Sequence, residues 1–166
     1  TPLPAGQSLR LPHDFGAHPA YKTEWWYATG WVKTAGGEQL GYQVTFFRSR
    51  TGLAQDLPGR LAPRHLLFAH AALTDLARTR HVHDQRIVRW NGDPDGAARQ
   101  AGATVDDTRV WIGAWSLQRS ASGYRSEVVA SEAAGAWRLA VDLRRSQPVL
   151  RSAWMAQALR AVCVYV

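Results

Sequence analysis

Cysteine, lysine and methionine are nearly missing from this 166-residue chain, which has one Cys, two Lys and one Met. With Cys163 alone no intramolecular disulfide can form, so the fold does not depend on oxidation. No apolar run reaches the roughly 20 residues that a membrane-spanning helix needs. The chain begins at Thr1 rather than Met, which leaves room for an export signal lost by processing or trimming. Also missing are a glycine-rich phosphate loop, an HExxH pair, a CxxC pair and a GxSxG elbow. No nucleotide cofactor and no structural zinc is therefore expected. The net charge of +7 comes from 18 arginines spread along the chain without a basic cluster. Nucleic acid is accordingly not an expected partner, whereas an acidic membrane surface or an amphiphilic substrate suits this balance.

What the chain does have is aromatic weight, with eight Trp, residues that line ligand cavities as readily as they fill cores. Three of them, with a Tyr, fall within Glu24 to Val32. Leu40 to Arg48 forms a second run of aromatic and β-branched residues, and Gly36-Gly37 between the two supplies a turn that tolerates positive φ. Alternation predicts one face carrying Trp25, Tyr27, Thr29 and Trp31, and another carrying Glu24, Trp26, Ala28, Gly30 and Val32. Both faces are largely apolar, so a hairpin of this kind needs a cover.

The first 21 residues, rich in Pro, Gly and His, predict an extended opening segment. Its His13, Asp14 and His18 match no standard zinc spacing, and loop histidines bonded to backbone are the commoner case. Ser49 to Pro63 predicts a surface loop or flap. Arg64 to Asp75 resumes a strand pattern, with Leu66, Phe68, His70, Ala72 and Thr74 on one face and His65, Leu67, Ala69, Ala71 and Leu73 on the other. His70, between Phe68 and Ala72, is expected inside, either as a neutral core histidine or as a polar group facing a pocket. His81 and His83 share a strand face in a stretch that looks solvated.

Asn91 to Asp107 is the clearest loop, with turn dipeptides at NG, DP and DG. Arg109 to Gln118, Tyr124 to Ala130 and Ala136 to Leu143 are strand-like, the last placing Trp137, Leu139, Val141 and Leu143 inward. About seven short strands predict an all-β, antiparallel barrel or sandwich. Ser152 to Cys163 has the spacing of a short C-terminal helix. Glu24, Gln43 and His70 are the polar groups that could converge on an interior cavity for a long apolar molecule.

The motifs EWWYATG (24–30), GYQVTFFRSR (41–50), LLFAHAALTD (66–75), HDQRIVR (83–89) and WSL (115–117) resemble, in order and spacing, the AttH-like / carotenoid 1,2-hydratase family. The opening run LPHDFGAHPAYKTEWWY strengthens the resemblance, which covers roughly residues 10–150. It implies a lipocalin-like β-barrel or half-barrel, residues 1–150 being the first of a pair of such domains and 151–166 an atypical tail. It also implies a cofactor-independent hydratase that adds water across an isoprenoid double bond of a carotenoid. Such chemistry needs a strong acid, aromatic faces to stabilise a tertiary cation, and a held water. Glu24 and His70 are the candidate catalytic groups, and Trp25, Trp26, Tyr27, Gln43 and Phe47 the candidate ligand-binding residues.

Two departures bear on activity. The family's proposed acid lies in a second half that this sequence does not contain. The chain also leaves the family pattern near residue 150, as a frameshift or truncation would make it do. The alternative is a non-catalytic carrier of lipid or pigment in the periplasm or cell envelope, associated with a transporter. A remnant domain without independent activity is the third reading.

Overall fold

A computed structural model of the chain describes residues 10–53, 55–59, 61–93, 100–131 and 135–144. Its strands follow from the alternating apolar runs. β1 (Thr23–Lys33), β2 (Gln39–Arg50), β3 (His65–Asp75) and β4 (Arg80–Trp90) form one antiparallel sheet in chain order. β5 (Ala101–Ala103), β6 (Arg109–Ile112), β7 (Trp115–Ser120), β8 (Gly123–Val129) and β9 (Arg138–Arg144) form a second, again in chain order. Chain-ordered antiparallel neighbours need only short reversals, which the turn residues supply. At the β1–β2 turn Gly37 has φ +84°, and Thr34 closes the reversal through hydrogen bonds with Glu38 and Gly37. The all-β, antiparallel expectation is met. Among the described residues β1 pairs only with β2 and β9 only with β8, so the two sheets make an open half-barrel.

The core lies between the sheets. Trp26, Phe46, Leu67 and Trp90 from the first sheet meet Val110, Trp115, Val128 and Leu143 from the second, all buried. Side chains at successive positions point to opposite faces, so each strand gives every second residue to this core. The opening segment joins it through Ala17, whose N–H donates to Thr104 O at 2.8 Å. Gly16 passes so close to the Val105 carbonyl that a Cβ there would collide with backbone.

Two expectations need correcting. His70 is exposed rather than inside, because β3 turns its other face inward: His65, Leu67, Ala69 and Ala71 are buried. Both faces of β3 are apolar, and the one with small alanines lets the two sheets approach. The stretch around His81 and His83 is solvated as expected, with both histidines exposed on one face of the eleven-residue β4. The loop over Asn91 to Asp107 is interrupted by β5. The helix expected over Ser152–Cys163, and the boundary near residue 150, lie outside the described residues.

Candidate functional site

At one end of the first sheet the strands bring three ionisable side chains together. Glu24 near the start of β1 pairs across the ladder with Arg48 near the end of β2, and His65 opens β3. All three face inward and are buried, at 4%, 0% and 5% exposure. Arg48 Nε donates to Glu24 Oε1 at 2.5 Å, and Arg48 Nη1 donates to His65 Nδ1 at 3.0 Å. Arg48 Nη2 donates to the carbonyls of His18 and Tyr21, each at 2.9 Å. The backbone N–H of His18 in turn donates to both Glu24 oxygens, at 2.9 and 2.8 Å. The opening segment is thus tied down by its own peptide groups on a buried ion pair.

This wiring fixes the protonation states. Burial alone would raise the Glu24 carboxyl, but the hydrogen bonds from His18 and the Arg48 charge outweigh it and hold the group lowered, as a carboxylate. Burial, followed by the charges of Arg48 and Arg50, pushes His65 down to about 4, so its imidazole is neutral and accepts from Arg48. Its ring lies 5.4 Å from that of Trp90. A general acid for alkene protonation needs a raised carboxyl, and Glu24 has the opposite bias. Asp14 bridges His13 and His18 through Oδ1, at 3.2 and 3.4 Å. Among the described residues no group of three or more His, Cys, Asp or Glu is arranged to hold a metal ion.

The opposite, outward face of the same sheet is aromatic. The register aligns Trp25, Phe47, Phe68 and Ile87 in one row across all four strands. Phe47 and Phe68 stack with centroids 4.7 Å apart and planes 9° from parallel, and Trp25 lies 6.4 Å from Phe47. Beside this row run Tyr27, Thr45, His70 and Gln85, then Thr29, Gln43, Ala72 and His83. His70 sits 5.8 Å from Phe47 and 6.3 Å from Phe68. Ile87 is 69% exposed, and Trp25, Phe47 and Phe68 are partly exposed.

The residues singled out from the sequence therefore divide between two faces. Trp25, Tyr27, Gln43, Phe47 and His70 share the outward face. Glu24 and Trp26 lie on the inward one, so Glu24, Gln43 and His70 do not converge. Trp26 is core, with its indole N–H donating to Phe15 O at 3.2 Å. Sequence reasoning missed Phe68 as part of the row, and missed Arg48 and His65 as partners of Glu24. An arginine at an inward-phase position opposite a glutamate was the available signal for the pair.

The sequence profile of the AttH-like family matches residues 2–153. A crystal structure that carries the AttH name, from Nitrosomonas europaea, is similar with a TM-score of 0.71 and 36% sequence identity. The match covers 89% of this chain and 41% of that one, so the chain spans about two-fifths of the solved relative. No functionally curated protein matches the chain.

Proposed function

We propose that this chain, which belongs to the AttH-like family of lipocalin-like proteins related to carotenoid hydratases, holds an isoprenoid, carotenoid or lipid against the outward aromatic face of its first sheet. The row Trp25–Phe47–Phe68–Ile87 carries this reading. A contiguous apolar patch of this kind on a sheet face marks a binding surface more often than chance. Four strands at about 4.8 Å spacing make a track roughly 14 Å long, and its flat rings suit a flat conjugated chain. His70 beside the track, and Gln43 one row further on the same side, offer polar atoms for an oxygenated end. The periplasm or cell envelope, with a membrane surface or transporter close by, is the setting such a carrier would serve.

Cofactor-independent addition of water to an isoprenoid double bond is the second reading, and kinship with carotenoid hydratases favours it. The row would then stabilise the tertiary cation through its ring faces, with His70 beside it. Glu24, tied to Arg48 and held as a carboxylate, is not suited to supply the proton.

Titrating the chain with a linear carotenoid in detergent micelles, while following Trp emission and the pigment spectrum, tests the reading. Saturable quenching is expected, with Phe47→Ser and Phe68→Ser each weakening affinity roughly tenfold. Two variants that bind like the wild type would remove the row as the seat. A product heavier by one water would move the weight to the hydratase reading.

A further inference from the structure

The loop between β2 and β3 inverts the usual arrangement of a surface in water. Leu53, Leu57 and Leu61 are 69%, 58% and 90% exposed, while Thr51 and Gln55 turn in. Thr51 N–H donates to Arg64 O at 3.0 Å, closing the loop at its base, and Thr51 Oγ1 donates to Pro63 O at 2.7 Å. Gln55 Nε2 donates to Arg64 O at 3.0 Å, and its Oε1 accepts from Arg50 Nε at 2.9 Å. Arg64 Nη2 donates to Leu57 O at 2.7 Å. These bonds brace a closed surface loop and leave its leucines in water. Single exposed leucines are ordinary, but three spaced four residues apart on one braced loop mark a contact surface.

The base of this loop is cationic. Arg50 N–H donates to Lys22 O at 2.7 Å, which sets Lys22 beside Arg50. One row in on the outward face, Thr23, Ser49, Leu66 and Arg89 align across the sheet. Lys22, Arg50 and Arg89 are exposed and Arg64 is partly so, and none of the four pairs with a carboxylate among the described residues. Against them stand the exposed Asp56 and Asp93, while Asp14 and Glu24 are engaged by His18 and Arg48. The balance at this end is positive. The row of Leu66 and Arg89 adjoins that of Phe68 and Ile87, so the loop stands at the head of the aromatic row.

We infer that the β2–β3 loop seats the protein on an anionic lipid bilayer. Leu53, Leu57 and Leu61 enter the boundary between headgroups and acyl chains, and Lys22, Arg50, Arg64 and Arg89 lie against lipid phosphates. Apolar side chains beside cations are the combination that holds proteins at such a surface. A protein partner would need a continuous apolar face of matching shape. This loop instead offers separate apolar points, with Asp56, Pro58 and Gly59 between them, and a fluid layer accommodates those without a matching shape. Docked in this way, the protein would present the head of its aromatic row to the membrane. That consequence rests on the row being the seat of a lipid or pigment, whereas the docking does not.

Flotation with pigment-free vesicles tests the assignment, using phosphatidylcholine alone and phosphatidylcholine mixed equally with phosphatidylglycerol. The chain is expected to bind the anionic vesicles about tenfold more tightly than the neutral ones, and less as salt rises. Combining Leu53→Ser, Leu57→Ser and Leu61→Ser should lower anionic binding about tenfold or more. These side chains are exposed, so that variant should melt at the wild-type temperature and still quench with carotenoid in micelles. Lys22→Gln with Arg50→Gln should weaken binding to the anionic vesicles alone. Phe47→Ser and Phe68→Ser should float like the wild type while failing the pigment titration, so the two readings fail separately. Equal binding to both vesicles, a leucine variant that floats undiminished, or flotation lost in the row variants would overturn the docking. So would a self-associated form that the leucine variant dissolves in a chain that floats with neither vesicle, which would make the loop a contact between copies.

Discussion

Arg48→Met is expected to destabilise the protein by about 3–5 kcal/mol, the range for removing one partner of a buried ion pair. The side chain is fully buried and spends its N–H groups on Glu24, His65, and the carbonyls of His18 and Tyr21. Methionine fills much of the volume but leaves Glu24 as a buried charge without its guanidinium and takes one donor from each of the two carbonyls. Urea unfolding should show the loss in the transition midpoint. Glu24→Gln added to Arg48→Met should recover part of it, because the orphaned charge is then gone. An exposed pair gives the contrast. Arg125 and Asp142, 2.8 Å apart with side chains 39% and 68% exposed, should be worth under about 1 kcal/mol to the same assay. A loss for Arg48→Met no larger than that would mean that water replaces the guanidinium, and the pinned opening segment would need another explanation.

His65 makes stability depend on pH in a window where few side chains titrate. Its folded value is about 4 against an ordinary 6.5. Between these values the unfolded chain carries a proton on His65 that the folded chain does not, so stability rises with pH across the window. Acidifying from 6.5 to 4 should therefore remove up to about 3 kcal/mol. Below that, protonation of Glu24, whose folded carboxyl is held under its ordinary 4.5, adds a further loss as pH falls through the lowered value. Arg48, Arg50, Arg64 and Glu24 are the charges that act on the imidazole. His65→Gln keeps an acceptor for Arg48 and cannot titrate. Its denaturation midpoint should be flatter between pH 4 and 6.5 than that of the wild type. An unchanged slope would assign the pH dependence elsewhere.

The sequence was most legible where one phase of alternation was decisive. The β1–β2 hairpin and its turn, and the inward Leu139, Val141 and Leu143 of β9, follow from spacing alone. β3 was not legible in the same way. Leu66, Phe68, His70 and Ala72 are as apolar as the opposite phase, and only packing against the second sheet decides which goes inside. The length and inward phase of β4 were hidden by its charges. Its inward phase includes Asp84, which accepts the Ser131 N–H, and Arg86, whose guanidinium lies 5.0 Å over the Trp115 ring. Those partners sit more than 25 residues away, where no local pattern reports them. β5, an Ala-Gly-Ala run, has too little side chain to give any signal. The Glu24–Arg48–His65 cluster depends on strand register, so naming its members required the ladder itself.

The opening segment also sets an order of events during folding. Phe15 O accepts hydrogen bonds from Trp26 Nε1 in the first sheet and from Thr108 Oγ1, 93 residues onward, just before β6 of the second. Its neighbour Ala17 reaches Thr104 in the same way. The bonds to Thr108 and Thr104 exist only once both sheets have formed and met, so this stretch locks after the hairpins it precedes in the chain. A change that weakens it, such as Thr108→Ala, should speed unfolding and leave the refolding rate nearly untouched in stopped-flow measurements. A refolding rate that fell with stability would place the segment in the nucleus instead. On this account the N-terminal stretch is a clasp closed last, and resistance to unfolding resides in a part of the chain with almost no regular structure.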